Sequence, residues 1–487
     1  MFRSTISILW LFVNISLVIC GTVPSKVEPA LLVISYDAFR PEYLNRKVTP
    51  NLNKFRKEGT SAPYMINVFP TKTFVNHFTI ATGLYAENHG VLANEVYDSE
   101  QGLLNYGYPL FHYSNTTIPI WTANQKAGKH SGCMWPGGDF EYNGISCTFT
   151  AKFDPKKKWE DRVDLALSWF TDKKTPANLV MFYIEEPDSH AHMYGVDSPV
   201  ITNMISKLDN LTQYIQDKLV ATGLDKRVNV IHLSDHGMTG VAPPNFIYLD
   251  KILANDSFKM YGTSPILQIV PKDPSKEGEI YDKLTKAAEI NGHFKVYTPK
   301  NIPLRWHANN TRRMGPILAV ASHGYGFQDL METAKIYEKK FNITITNETK
   351  YGVHGYDNQD PDMHAIFMAK GPLFAKGKML KAVNMIDLYN LFCFILNIEC
   401  GQNNGTKKLD AYDDLFAVKP VRSTQKDDNN GELVTWGVIF ILLVVSVIVI
   451  TKVRKLRQQH AYTRYLHRSA LLDDFSSFDD ELSFNTR

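Results

Sequence analysis

Three short apolar runs in this 487-residue chain have no helical spacing: Leu31–Tyr36, Leu179–Ile184 and Val228–Leu233. Continuous apolar runs of this length predict strands that are buried on both faces. Between them lie longer stretches with helical periodicity, such as Pro199–Leu219. This alternation predicts an α/β fold in which helices flank a largely parallel central sheet. The part of the chain over residues 22–417 is long enough for one large domain or for two smaller ones.

Acidic residues stand where each of the predicted strands ends. Asp37 directly follows the first strand, Asp188 follows the second after three residues, and Asp235 follows the third after Ser234. In open α/β sheets, ligands bind outside the carboxyl ends of the strands. A single aspartate in such a position is most often a turn former or a helix cap. Three of them at one predicted sheet edge indicate a ligand site.

Histidines near these aspartates add a second type of ligand. Asp188 and His192 are four residues apart and share one face if the chain forms a helical turn there. Gly237 allows a turn in which the adjacent Asp235 and His236 both face the site. His354 lies in a glycine-rich loop rather than in an apolar segment. Carboxylate and imidazole groups without cysteine are typical of catalytic zinc, which keeps a coordination position open.

Apolar segments at the two ends of the chain predict its location. The run Ile6–Ile19 after Arg3 predicts a signal peptide over residues 1–21, with a signal anchor as the alternative. Residues 433–451 carry no charge and are long enough, as a helix, to cross the hydrocarbon core of a bilayer, which is about 30 Å thick. Basic residues follow directly, as expected on the cytoplasmic side of a membrane. A buried core helix is the alternative. We therefore expect a type I protein of the cell membrane, with an extracellular domain over 22–417, a polar stalk over 418–432, a transmembrane helix over 433–452 and a cytoplasmic tail over 453–487.

Sequons and cysteines agree with an extracellular domain. The predicted outer segment contains seven Asn-x-Ser/Thr sequons, at Asn115, Asn210, Asn255, Asn309, Asn342, Asn347 and Asn404. With Cys20 at the signal boundary, four cysteines remain, an even number that suits an oxidising compartment. We predict the local disulfides Cys133–Cys147 and Cys393–Cys400, while the other two connectivities stay open. The net charge of +3 is close to neutral for this length and gives no support for binding to a nucleic-acid polymer.

Six spaced motifs resemble one known family. They are YDAFR at 36–40, FPTKTFVNHFTIATGLYAENHGVLAN at 69–94, WPGGD at 135–139, YIEEPDSHAH at 183–192, SDHGM at 234–238 and GVHGYDNQDPDMHAIF at 352–367. The residues of these motifs and their order along the chain resemble those of the ectonucleotide pyrophosphatase/phosphodiesterase family of the alkaline phosphatase superfamily, over about residues 30–400. The chain shows neither a second large C-terminal domain nor a cysteine-rich N-terminal module, so it is most similar to the short members, types four and five.

This resemblance implies an alkaline-phosphatase-like α/β core and a role for each matching residue. One of two zinc ions would be held by Asp188, His192 and His354, and the other by Asp37, Asp235 and His236. Thr73 would be the nucleophile and would bridge to the second zinc, while Asn94 would donate its amide to a non-bridging phosphoryl oxygen. The residues implied to line the substrate pocket are Phe74, Tyr183, Trp135 and Asp139.

The resemblance also implies a reaction. We expect a cell-surface, zinc-dependent nucleotide pyrophosphatase/phosphodiesterase that releases nucleoside 5′-monophosphates through a covalent phosphothreonine intermediate. Its expected substrates are extracellular nucleotides or dinucleotides. Two alternatives stay open: a lipid or choline phosphodiesterase of the lysophospholipid or sphingomyelin type, and a weakly active surface receptor with the same fold.

Overall fold

The computed structural model describes residues 29–254, 257–342, 344–406, 415–417 and 440–464. Residues 29–417 and the helix over 440–464 belong to separate units of the chain. The strands of the first unit are β1 Ala30–Tyr36, β2 Thr60–Ser61, β3 Met65–Ile66, β4 Val96–Asp98, β5 Gly102–Leu104, β6 Ser131–Met134, β7 Phe149–Thr150, β8 Leu179–Ile184, β9 Val228–Leu233, β10 Thr239–Val241, β11 Phe246–Ile247, β12 Phe258–Tyr261, β13 Ile266–Pro271, β14 Phe294–Tyr297, β15 Ile317–Ala321, β16 Gly326–Phe327, β17 Tyr351–Val353, β18 Phe367–Lys370, β19 Lys378–Met379 and β20 Val383–Asn384.

Helices connect most of these strands. The α-helices of the first unit are α1 Pro50–Glu58, α2 Thr73–Thr82, α3 Ala86–His89, α4 Tyr108–Phe111, α5 Ile120–Lys126, α6 Trp159–Trp169, α7 Asp188–Tyr194, α8 Pro199–Ala221, α9 Glu277–Asn291, α10 Asp329–Phe341 and α11 Leu388–Leu396. The 3-10 turns are Pro41–Asn45, Leu224–Lys226, Pro243–Asn245, Leu249–Lys251, Pro274–Lys276, Leu304–Trp306, Pro361–Met363 and Met385–Asp387.

The central sheet has the strand order β19-β2-β18-β9-β1-β8-β6-β7. The five strands β9, β1, β8, β6 and β7 are parallel to one another. β18 is antiparallel to both β9 and β2. The prediction of a largely parallel sheet is therefore correct for its centre, and the sheet as a whole is mixed.

Both faces of this sheet are covered by apolar side chains, which explains the continuous apolar run of β1. Its residues alternate between two clusters: Leu31 and Val33 belong to one, and Leu32 and Ile34 to the other. The first cluster includes side chains of α2 and α11, and the second includes side chains of α6 and α8. The sheet thus lies between two helical layers.

A second, smaller sheet was not predicted from the sequence. It has four antiparallel strands in the order β12-β13-β15-β14 and packs against α9 around its own apolar cluster. Its outer strands are only four residues long and contain exposed positions, so they lack the compact apolar pattern of the central strands.

One of the two predicted disulfides is present. Cys133 and Cys147 are bonded, and they join β6 to the segment before β7. The prediction of a Cys393–Cys400 disulfide is wrong for this structure, in which both are free thiols. Cys393 lies in α11 and the thiol of Cys400 interacts with it, so the turn after α11 brings the sulfur atoms together without a covalent bond.

The predicted sequons differ in exposure. Asn115, Asn210, Asn342 and Asn347 are exposed, whereas Asn309 and Asn404 are half-buried. The side-chain oxygen of Asn404 accepts a hydrogen bond from the backbone N–H of Tyr85. Asn255 lies outside the described residues.

Several predicted end segments also lie outside the described residues, namely the signal peptide at 1–21, the stalk at 418–432 and the tail from 465 onward. The predicted transmembrane segment overlaps the helix over 440–464, and its first residues, 433–439, are not described. Within the described parts of the chain, no helix combines the length and the apolar character needed to cross a membrane.

Candidate active site

The three predicted aspartates meet at one edge of the central sheet because β9, β1 and β8 are adjacent and parallel. The backbone N–H of Asp37 donates to the carbonyl of Ile184 at 2.9 Å. Ala38, in a left-handed conformation with φ of 56°, donates its N–H to Asp235 Oδ1 at 3.1 Å. Positive φ is costly for alanine, so this backbone conformation is held by the contacts around the site.

One group of possible metal ligands contains Asp188, His192 and His354. As predicted, the first two lie one turn apart on a helix, α7, and His192 Nε2 is 3.3 Å from Asp188 Oδ2. His354 follows β17, and its Nε2 is 3.5 Å from Asp188 Oδ1. The structure thus brings together the three residues that the resemblance assigned to one metal.

A second group contains Asp37, Asp188 and His236. The resemblance assigned Asp235 rather than Asp188 to this group. Asp235 is nevertheless close, since its Oδ2 is 3.1 Å from His236 Nε2, and His236 Nε2 is 3.4 Å from Asp37 Oδ1. Asp188 therefore lies between the two groups, and its carboxylate is close enough to contribute a ligand oxygen to either.

The three histidines are held in the same orientation relative to the site. In each, Nδ1 lies within hydrogen-bonding distance of a backbone carbonyl: Gly352 for His192, Gly237 for His236 and Thr71 for His354. A carbonyl only accepts, so Nδ1 carries the proton and Nε2 keeps its lone pair. This is the arrangement expected of metal-binding histidines, whose other nitrogen is hydrogen-bonded.

The electrostatics of the site favour a bound cation. Three buried carboxylate oxygens, Asp37 Oδ1, Asp188 Oδ1 and Asp235 Oδ2, have no hydrogen-bond partner among the described residues. Burial, together with the charges of Asp235 and Asp188, raises the pKa of Asp37 well above its ordinary value. Buried carboxylates of this kind are normally paired or coordinated to a metal. The donor set of oxygens and imidazole nitrogens suits a divalent cation such as zinc.

Thr73 lies beside these ligands at the first residue of α2. Its Oγ1 is 3.3 Å from His236 Nε2, and its side chain is almost fully buried. The N-terminus of a helix favours negative charge, so this position suits a hydroxyl that loses its proton. The geometry agrees with the predicted role of Thr73 as a nucleophile.

Asn94 is held next to Thr73 with its amide nitrogen available. Its Oδ1 accepts a hydrogen bond from the backbone N–H of Phe74 at 3.0 Å, which fixes the orientation of the amide. The NH₂ group therefore points away from that contact and can donate to a ligand. This agrees with the predicted donation to a phosphoryl oxygen.

The predicted pocket residues are in different environments. Tyr183 donates its hydroxyl to Asp37 Oδ2 at 2.6 Å, and Phe74 is half-buried. Trp135 is only 5% exposed, and its indole donates to the carbonyl of His77. Asp139 is exposed and accepts a hydrogen bond from Tyr106 at 2.7 Å.

Two further aromatic side chains near the site were missed. Phe153 is 56% exposed, with its ring centroid 5.9 Å from that of Tyr183, and Tyr106 is 46% exposed, with its ring 5.2 Å from Phe74. An exposed phenylalanine in the lysine-rich segment 152–158 has no pattern that marks it as functional. Only its contact with Tyr183 places it at the site.

Lys72 was also missed. Its side chain is buried, and Nζ donates to the carbonyl of Ser264 at 2.8 Å and to Thr263 Oγ1 at 3.1 Å. Burial lowers its pKa to about 8, although the charges of Asp329 and Asp188 oppose that change. A lysine next to Thr73 in sequence could have been singled out, but its burial could not have been predicted.

The chain is similar to proteins of known family. A family model for type I phosphodiesterase / nucleotide pyrophosphatase matches residues 31–357. The human ectonucleotide pyrophosphatase/phosphodiesterase family member 5 is 37% identical over 387 residues, which cover 78% of this chain and 76% of that protein. The human bis(5'-adenosyl)-triphosphatase ENPP4 is 33% identical over 389 residues, covering 78% of this chain and 81% of that protein.

A solved structure is also similar. Murine ectonucleotide pyrophosphatase/phosphodiesterase 5, in an inactive variant with alanine in place of a threonine and in complex with AMP, superimposes with a TM-score of 0.70. It is 36% identical, and the match covers 78% of this chain and 98% of that one. The alkaline-phosphatase-like fold and the resemblance to types four and five are thereby confirmed. The chain belongs to the type I phosphodiesterase / nucleotide pyrophosphatase family, and it is a phosphoric diester hydrolase among the relatives of types four and five.

Proposed function

We propose that this protein is a zinc-dependent nucleotide pyrophosphatase/phosphodiesterase that releases nucleoside 5′-monophosphates through a covalent phosphothreonine at Thr73. The observation that carries the proposal is the position of Thr73 Oγ1 at a helix N-terminus, 3.3 Å from His236 Nε2 and next to buried carboxylate oxygens that have no hydrogen-bond partner among the described residues.

The residues present fit two divalent cations, with Asp188 close enough to reach both. Asp188, His192 and His354 would hold one, and Asp37, Asp235 and His236 the other. Zinc in such a site would favour the ionised form of a nearby hydroxyl and would stabilise both the entering and the leaving oxygen of an in-line displacement.

The side chains of this protein supply the remaining chemistry. Thr73 Oγ1 attacks phosphorus, a new oxygen–phosphorus bond forms, and the bond to the leaving oxygen breaks. Asn94 donates its amide N–H to a non-bridging oxygen as that oxygen gains charge. Water then cleaves the threonine ester, releases the monophosphate and restores the hydroxyl. Two displacements at one phosphorus give net retention of configuration.

Nucleotides are the proposed substrates. The human relative that is 33% identical is named as a bis(5'-adenosyl)-triphosphatase, and the similar murine structure is in complex with AMP. In this chain, Phe74, Tyr183 and the exposed Phe153 offer aromatic surface beside the site, and base stacking contributes about 1–3 kcal/mol per base. A panel of dinucleotides, nucleoside triphosphates, lysophosphatidylcholine and sphingomyelin tests this choice. Faster hydrolysis of the choline lipids would favour the lipid phosphodiesterase instead.

We further propose that the enzyme acts outside the cell and is held at its membrane. Support comes from the sequence: the signal peptide at 1–21, the sequons and the apolar segment at 433–452. Treatment of intact cells with a protease and a glycosidase tests this location. A full-length chain that resists both reagents, or that lacks glycans, would contradict it.

The decisive experiment compares Thr73→Ala with Thr73→Ser in the full-length protein. The assay is release of nitrophenol from the nitrophenyl ester of thymidine 5′-monophosphate, with and without a chelator. We expect no turnover by the alanine variant, residual turnover by the serine variant, and loss of wild-type activity with the chelator that added zinc restores. Full activity of Thr73→Ala would exclude the phosphothreonine mechanism.

A further inference from the structure

A fully buried histidine lies directly behind the nucleophile and is not among the predicted ligands. His77 is one helical turn after Thr73 on α2, and none of its surface is exposed. Its Nδ1 is 2.8 Å from the carbonyl oxygen of Thr73 and 3.3 Å from Asp235 Oδ2. On the other side of the ring, Nε2 is 2.9 Å from Ser35 Oγ in β1.

These contacts fix the tautomer of His77. The carbonyl of Thr73 only accepts, so Nδ1–H donates to it, and the Ser35 hydroxyl donates to Nε2. Nδ1 also lies 3.3 Å from Asp235 Oδ2, close enough for the N–H dipole to attract that carboxylate. The order Ser35, His77, Asp235 resembles the arrangement of a serine hydrolase. Ser35 is fully buried within the central sheet, however, and no substrate reaches it. It anchors the ring instead of acting as a nucleophile.

The ring plane is held by packing as well as by hydrogen bonds. The rings of Trp135 and Tyr183 contact it edge-on at centroid distances of 4.8 and 5.0 Å. Trp135 also donates its indole N–H to the His77 carbonyl. With its plane fixed, the Nδ1–H direction is fixed, so one N–H bonds to the backbone carbonyl of Thr73 and lies next to the Asp235 carboxylate.

We propose that His77 is a positioning residue that couples the place of Thr73 to the orientation of Asp235. The proposal rests on the phosphodiesterase function proposed above. If the ring is lost, the Thr73 carbonyl loses its side-chain donor and the Asp235 carboxylate loses the N–H dipole beside it. Outer partners of metal ligands typically contribute about 10–100-fold to metal affinity or activity.

Side-chain geometry provides a selective test. In His77→Asn the amide nitrogen occupies nearly the place of Nδ1, so the donor to the Thr73 carbonyl, beside Asp235, is kept. In His77→Gln the amide reaches toward Ser35, so no group donates to the Thr73 carbonyl. His77→Phe keeps an aromatic ring of similar shape but has no hydrogen-bond donor. His89→Gln is the matched control, because His89 is also fully buried and bonds to Thr79 of the same helix, away from the ligands.

The measurements use the full-length zinc-loaded protein: kcat and KM on the thymidine monophosphate ester, zinc release to a colorimetric chelator, and Tm. For His77→Phe and His77→Gln we expect kcat to fall by about 10–100-fold, KM to stay within about threefold, and zinc to be lost at a lower chelator concentration. His77→Asn should keep kcat within about threefold of wild type. His89→Gln should lower Tm without changing kcat or zinc retention.

Other results would overturn the proposal. It fails if His77→Phe keeps both wild-type kcat and wild-type zinc retention, or if His77→Asn is as impaired as His77→Phe at an equal Tm. If the His77 variants do not fold, Ser35→Ala is measured instead, because it keeps the imidazole and removes only the hydroxyl that bonds to Nε2. A reduced kcat in Ser35→Ala supports the proposal, and an unchanged kcat contradicts it. If the wild type lacks phosphodiesterase activity, the proposed function fails, while zinc retention still decides the role of His77.

Discussion

The imidazole rings of His236 and His354 lie parallel, with their centroids 3.7 Å apart and an angle of 10° between the planes. Each belongs to a different one of the two possible metal groups, so the two groups are in direct contact. Burial, and then the proximity of His236, lowers the pKa of His354 well below its ordinary value. The neutral form that binds a metal is therefore favoured at neutral pH.

Asp37→Asn should change stability in opposite directions with and without metal. Without a cation, the buried Asp37 repels the carboxylates of Asp235 and Asp188, so its neutral replacement should raise Tm, on the order of 2 °C. With zinc, the variant loses a ligand, and its Tm should fall below that of the wild type. Thermal unfolding with chelator and with zinc checks both signs. A lower Tm for the variant in both conditions would show that the carboxylates need no cation.

Asn94→Ala and Asn94→Asp separate two roles of this amide. The alanine variant loses both the acceptor for Phe74 N–H and the donor to substrate, whereas the aspartate variant keeps the acceptor. If the donor to the phosphoryl oxygen matters, kcat should fall by about 10²–10³-fold in both, because the aspartate also repels the phosphate. Steady-state kinetics on the nitrophenyl ester measures this. Near-normal kcat in Asn94→Asp would assign the residue to loop support alone.

Gly237→Ala should disrupt the Asp235–His236 turn. An added Cβ would lie 2.0 Å from the carbonyl oxygen of Asp362, a backbone atom that cannot move alone. We expect a lower Tm and a loss of most activity. Gly278→Ala is the control, since its Cβ would meet nothing within 4 Å, and alanine in a helix is more favourable than glycine by up to about 1 kcal/mol. Its Tm should stay equal or rise slightly.

His323 should make stability depend on pH. The hydrogen bond that His323 donates to the Asp360 carboxylate raises the pKa of His323, although partial burial opposes the change. A raised pKa in the folded state gives stability that is complete below the unfolded value of about 6.5 and is lost as pH rises through the folded value.

The test is the Tm difference between wild type and His323→Gln, which should be larger at pH 5.5 than at pH 9. Because the imidazole is about half exposed, the effect should be at most about 1 kcal/mol. Asp360→Asn keeps the acceptor for the backbone N–H of Asp362 and removes the charge, so it should reproduce the same loss. A difference that is independent of pH would contradict this assignment.

The sequence predicted the parts of the site that depend on local pattern. β8 and β9 have the predicted bounds, and β1 begins one residue earlier than predicted. Their parallel order then determines where Asp37 and Asp235 lie. The helical turn that joins Asp188 to His192 was predictable for the same reason, because spacing along one helix fixes which side chains share a face.

Features that depend on distant contacts could not be predicted. The antiparallel direction of β18 is set by how its connections reach the sheet, which a strand of only four residues does not encode. The position of Asp188 between both metal groups depends on the exact place of α7. Phe153 and Tyr183 are thirty residues apart in sequence, and only the fold brings their rings together.

The spread of the ligands along the chain has a consequence for biosynthesis. Asp37 directly follows the first strand, whereas His354 follows β17, so a growing chain lacks the full ligand set until residues near 354 have been made. Domains fold as units, and a metal site is seldom formed before its protein folds. Binding of the proposed metal ions is therefore a late event in this chain. A product that ends before residue 354 would lack one of the three ligands in the group of Asp188, His192 and His354.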